Sequence, residues 1–168
     1  MLTRRGFMTL GLGAAALLAV GGGAAALSRP VWRQAHFLPA GVAVMTAIGS
    51  VVLDGALPAE RAERAAALAA WVRRVETALQ AMPGTTQAEF AQLVALLAHP
   101  WSRAATGLMP DWPDATPAQV AHWLAGLRDS RVSLLQQGYL ALHDLSLAAW
   151  YGDPGTWKAI GYELPVKV

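Results

Sequence analysis

From residue 38 onward the apolar positions of this chain recur every three or four residues, the period of an amphipathic helix, and strand-like alternation is hard to find. Residues 38–53 are an apolar stretch entered through Pro39 and closed by Asp54-Gly55, which predicts a helix of about four turns. Leu57-Pro58 opens a second, long helix that runs to the neighbourhood of Met82, with Pro58 near its first position. Ala65, Leu68, Val72, Val75, Leu79 and Met82 fall at alternating steps of three and four and so form one stripe. Glu60, Arg61, Glu63, Arg64, Arg73, Arg74 and Glu76 cover the rest of that helix, and Pro83-Gly84 stops it.

Thr86-Gln87-Ala88-Glu89 reads as a capping box, Thr at the N-cap and Glu three residues on. The helix behind it carries Phe90, Leu93, Val94 and Leu97 and ends near His99-Pro100. Residues 100–114 read as irregular, with three prolines, Trp101 and Trp112. Thr116-Pro117-Ala118-Gln119 is a second capping box, opening a helix with Val120, Trp123, Leu124 and Leu127. A last helix is expected over 130–151, after which Gly152-Asp153-Pro154-Gly155 makes a turn into the ending TWKAIGYELPVKV. The fold class expected is all-α: a small bundle of about five helices in one domain, 27–168, closing in a C-terminal docking tail.

The first 26 residues read differently. Arg4 and Arg5 form a short basic start, an uncharged Gly- and Ala-rich run follows from Phe7 to Leu27, and Ala24-Ala25-Ala26 offers small residues for cleavage. Thr3-Arg4-Arg5-Gly6-Phe7-Met8 resembles the twin-arginine (Tat) consensus of bacterial export signals, a receptor-read address for proteins exported folded. The uncharged run is also roughly long enough to span a bilayer, so a retained anchor is the rival reading, against which its glycines count. The expected location is the periplasm, reached by Tat, or the periplasmic face of the inner membrane.

Setting that segment aside changes the charge. The chain has 13 basic and 11 acidic residues; Arg4 and Arg5 lie in the first 26 residues and no acid does, so 11 of each remain beyond it. A balanced chain without a basic stripe gives no reason to expect nucleic acid. With zero cysteines there is no disulfide framework, thiolate metal site, iron–sulfur cluster or C-x-x-C-H haem attachment.

Candidate chemistry is sparse. Of the four histidines, His36, His99, His122 and His143, no two are spaced four apart, so no helix presents a two-histidine metal edge. His143-Asp144 invites a general-base reading, but adjacent helical positions do not face each other. Ser102, Ser130, Ser133 and Ser146 lack a nucleophile elbow. No catalytic, cofactor-binding or metal-ligating set is expected in this chain. Seven tryptophans are the other unusual feature; Trp71 and Trp123 are expected in the core, whereas Trp112 and Trp157 sit in Pro- or Gly-rich segments, where aromatic residues serve either as packing or as partner anchors.

The ending AAWYGDPGTWKAIGYELP is similar to the C-terminus of the gluconate 2-dehydrogenase subunit 3 family. There a helix ends in an aromatic pair, Gly or Ser with Asp-Pro follows, and Trp-x-x-Ile-Gly-Tyr comes next. Here these are Trp150-Tyr151, Gly152-Asp153-Pro154 and Trp157-Lys158-Ala159-Ile160-Gly161-Tyr162. Phe37-Leu38-Pro39 before an apolar helix also fits, while Val51-Val52-Leu53-Asp54 stands where the family has Asp-x-Ile-x-Pro. The resemblance implies a non-catalytic small subunit of a membrane-associated dehydrogenase complex. Its partners would be an FAD-bearing large subunit of the glucose–methanol–choline (GMC) class, a multihaem cytochrome c in some complexes, and the Tat translocase. The small subunit would carry the folded flavoprotein through Tat, and Trp112, Trp150, Tyr151, Trp157, Ile160 and Tyr162 would form the partner interface. The alternative is a free-standing periplasmic or membrane-anchored helical protein that binds a ligand or haem non-covalently through His99 or His143.

Overall fold

A computed structural model of the protein describes residues 30–161, and at 158–160 the backbone alone. The fold is all-α. Among the described residues six helices follow a two-stranded hairpin: β1 Trp32–Arg33, β2 His36–Phe37, α1 Pro39–Val52, α2 Arg61–Gln80, α3 Gly84–Ala98, α4 Pro100–Ala105, α5 Pro117–Arg128 and α6 Ser133–Tyr151. A 3-10 turn, Pro154–Ile160, comes last.

α1 is the centre of the bundle and packs against α2, α3, α5 and α6. Val44, Met45 and Ile48 on its inner side are fully buried. α2 lays the expected stripe against it: Leu68, Val72, Val75 and Leu79 are buried with Trp71, whereas Ala65 is exposed, so the stripe begins one turn later than its periodicity suggests. The helix itself starts at Arg61 rather than at Pro58, because Glu60 caps it, its carboxylate accepting from the Glu63 N–H at 2.7 Å. Arg64 then reaches back to the Ser50 carbonyl at 2.9 Å and to Asp54 at 3.0 Å, placing positive charge where the dipole of α1 ends negative.

Three local expectations are corrected. The Thr86–Glu89 capping box does not form: α3 begins at Gly84 behind Pro83, so both residues lie inside the first turns. Residues 100–114 are not wholly irregular, since Pro100 starts the six-residue α4. A hairpin precedes α1, with Trp32 opposite Phe37 and Arg33 opposite His36. Its turn holds Gln34 and Ala35 at φ 48° and 66°, the left-handed region a two-residue hairpin turn requires and side chains resist. Tertiary contacts hold it there. The buried Glu76 carboxylate accepts from the Phe37 N–H at 2.7 Å and meets His36 Nδ1 at 3.1 Å, and Gln80 donates to the Ala35 carbonyl at 2.9 Å. The capping box at Thr116 does form, with Gln119 Oε1 accepting from the Thr116 N–H at 2.9 Å.

The loop between α4 and α5 is anchored from within. Arg103, 6% exposed, donates to the carbonyls of Leu108 and Met109 and pairs with Asp111 at 2.5 Å. The Trp112 indole N–H donates to the Leu97 carbonyl at 2.8 Å, and its ring meets Trp123 edge-on at 5.2 Å.

Candidate partner interface

α1 carries no charge on any side. A helix on the surface of a small bundle ordinarily turns charged or strongly polar residues outward. Here the outward positions are Pro39, Val42, Ala43, Thr46, Ala47 and Ser50, which form one wall of an open groove. Trp112, Pro113 and Ala115 form the opposite wall, and the groove holds about 940 Å³, its open mouth included. Ser50 turns its hydroxyl onto its own helix, donating to the Ala47 carbonyl at 2.7 Å. The groove is therefore broad, apolar and free of charge, with Val42 38% exposed on its rim.

The second feature is the turn after α6. A side chain at Gly152 would bring its Cβ to 2.8 Å from the Ala148 carbonyl oxygen, so the helix can end this tightly only without one. Asp153 Oδ1 accepts from the Gly155 N–H at 2.8 Å, the common task of Asp in a turn. Thr156 Oγ1 lies 3.1 Å from the Trp150 carbonyl and 2.8 Å from that of Asp153. The Trp157 indole N–H donates to the Tyr151 carbonyl at 2.6 Å. From α2, Arg74 pairs with the other oxygen of Asp153 and sets its guanidinium 5.2 Å from the centre of the Trp150 ring.

The residues expected at an interface divide accordingly. Trp112 and Trp150, at 4% and 6% exposure, are built into the chain's own core. Each satisfies a packing demand first: Trp112 between α3 and α5, Trp150 under Arg74. Tyr151 and Trp157 are half-buried at the C-terminal turn. Ile160 closes the 3-10 turn in the backbone, while Arg4, Arg5, Phe7 and Tyr162 lie outside the described residues. Sequence reasoning missed the outer face of α1, although its signal, a helix without one charge in 14 residues, was present. It also missed Trp101, Met109, Val132 and Leu140, which are 46%, 74%, 54% and 48% exposed.

The histidines do not converge. His143 and Asp144 meet, Nδ1 to Oδ1 at 3.2 Å, although adjacent helical positions were not expected to face each other; Asp144 is exposed, His143 is half-buried, and Tyr139 stacks on the imidazole at 5.4 Å. Among the described residues no three of His, Asp and Glu are grouped to hold a metal ion. The titration shifts belong to helix ends. Backbone N–H groups of Ala62 and Glu63 hold the Glu60 carboxyl below its ordinary range, and Arg128 does the same to Asp129 beyond α5. A second groove, about 410 Å³ with its mouth, is lined by Leu93, Leu96, Leu127, Leu134 and Leu142 among others. Neither groove has a histidine in its wall.

No protein-family model, curated protein or solved structure matches this chain. Its two distinctive features are an uncharged groove along a central helix and a C-terminal turn tied down by one arginine. Among the described residues no helix is long and apolar enough to cross a membrane.

Proposed function

We propose that the chain is a non-catalytic accessory subunit that binds an FAD-bearing dehydrogenase of the GMC class and escorts it, folded, through the Tat pathway to the periplasm. The observation that carries this reading is the uncharged outer face of α1, with its groove against Trp112 and Pro113. A patch of this kind favours a protein partner, because it offers apolar area and shape but no group to orient or activate a small substrate. The twin-arginine start and the C-terminal similarity supply the kind of partner. A chain that carries a folded-protein address without cofactor chemistry of its own is accounted for when the cofactor belongs to its cargo, since FAD is bound by a finished fold. The histidine-based ligand reading gains no support from either groove.

The test replaces Arg4 and Arg5 together by lysine, followed by fractionation into cytoplasm and periplasm. Both this chain and the flavoprotein that co-purifies with it, identified by mass spectrometry and flavin absorbance, should stay in the cytoplasm. A flavoprotein that still reaches the periplasm has its own route, and the escort function is then wrong.

A further inference from the structure

The two walls of the α1 groove differ in charge. Residues 39–50 of α1 carry none, while the facing wall is cut from Asp111-Trp112-Pro113-Asp114-Ala115, which holds two acids and no base. Asp111 is neutralised from within by the buried Arg103. At the far end of α1, Arg64 donates to the Ser50 carbonyl and is likewise paired with Asp54, at 3.0 Å. Asp114 stands between the wall residues Pro113 and Ala115, is exposed, and has no ion pair among the described residues. One edge of an otherwise uncharged groove is therefore left negative.

The groove is also fixed in shape and short of hydrogen-bonding backbone. Trp112 is pinned by the Leu97 carbonyl and by the ring of Trp123, so its wall is not free to close onto α1. Opposite it, Ala43, Thr46, Ala47 and Ser50 form a row of small side chains, and the lined stretch of α1 is about 16 Å long. The backbone groups under this row are spent inside α1, and no lining residue belongs to a strand. An extended segment laid here would leave its own N–H and C=O groups dry and unpaired. A helix brings its backbone hydrogen bonds with it, and small side chains let it approach to the usual packing distance of about 8–10 Å between axes.

We propose that the α1 groove receives an amphipathic helix of the flavoprotein subunit, about three turns long, whose apolar face lies on Ala43, Thr46 and Ala47 and whose edge carries a lysine or arginine that meets Asp114. The inference rests on the function proposed above and names the partner element that it requires. A second copy of this chain is the poorer occupant, since neither wall segment holds a base to answer Asp114. The apolar face supplies most of the affinity, and the rim charge sets register and encounter rate.

The experiment uses the full chain and its flavoprotein, with helicity and affinity measured on each variant at low and at physiological salt. Asp114→Asn should weaken binding about threefold at low salt and flatten its salt dependence, and Asp114→Lys should weaken it about tenfold. Thr46→Arg, which sets a long cation in the middle of the groove, should weaken it at least about tenfold. Leu140→Arg, on the exposed side of α6, should leave it unchanged. If Thr46→Arg loses helicity, Val42→Arg on the exposed rim makes the same test. Wild-type affinity in a helical groove variant would mean that the partner docks elsewhere, and wild-type or tighter binding by Asp114→Lys would remove the cation. A dimer of the free chain that Thr46→Arg dissolves would assign the groove to a second copy, and an affinity that rises when residues 1–26 are cleaved off would assign it to the chain's own leading segment. Each of these results overturns the inference alone, whereas a wild-type chain that captures no FAD-bearing protein overturns the proposed function with it.

Discussion

The six-membered ring of Trp71 fills the space that a side chain at Gly49 would occupy: an added Cβ would stand 2.3 Å from Trp71 Cζ3 and 2.7 Å from Cη2. α1 and α2 meet at this point, and the same indole donates its N–H to the Ser146 carbonyl of α6 at 3.1 Å. Three helices are thus keyed together by one glycine and one tryptophan, both without exposed surface to spare.

Gly49→Ala should therefore destabilise the fold, although alanine is the better helix former. Neither a fully buried ring nor the helix backbone can give way cheaply, and overpacking of this kind costs about 1–3 kcal/mol. Chemical denaturation followed by tryptophan fluorescence measures it; a neutral or stabilised variant would mean that the two helices can move apart at no cost.

Gly126 is the opposite case. It is an exposed position inside α5 with nothing within 4 Å of an added Cβ. Gly126→Ala should stabilise by about 0.5–1 kcal/mol, the gain in helix propensity with no steric term against it. Gly138, where the nearest atom is Leu93 Cδ1 at 3.7 Å, should behave alike, and the two gains should be measurable as raised denaturation midpoints.

Trp112→Ala should register as a loss of stability, about 3–5 kcal/mol for a buried tryptophan. It also strands the Leu97 carbonyl and the facing ring of Trp123. A variant that keeps its melting temperature and loses only its partner would show that the ring is an exposed anchor after all.

The Glu60 cap makes the stability of α2 depend on pH in a definite direction. Its carboxyl titrates below the usual 4.5 because the N–H groups of Ala62 and Glu63 bind the charged form. A depressed folded-state value means that the contribution is present above the unfolded value and is lost as pH falls through the folded one. The melting-temperature difference between the wild type and Glu60→Ala should be constant near neutrality and should shrink once the pH drops below 4.5. A difference that grows on acidification would assign the shift to another group.

Much of the bundle was legible in the chain. Helical periodicity identified α1, α2, α3, α5 and α6, and the Thr116 capping box and the turn at Gly152 were readable because each is a local bargain between neighbouring residues. Trp71 and Trp123 could be assigned to the core because they lie on apolar stripes of their own helices. The proposed function draws on two short words in the chain, the twin arginines and the C-terminal motif.

Tertiary structure alone decided the rest, and the physical reason is the same each time: the deciding partner is far away in sequence. The hairpin turn at Gln34 and Ala35 has no turn residue to announce it and stands because Glu76 and Gln80 hold it. Trp112 looked like a loop aromatic until Leu97 and Trp123 were seen to enclose it. Arg74 was one more charge on a solvated face until Asp153 arrived beside it. The uncharged helix α1 was readable as a helix but its two sides were not, since periodicity cannot say how much of a helix its neighbours will cover; packing buried one side and left the other open along the groove.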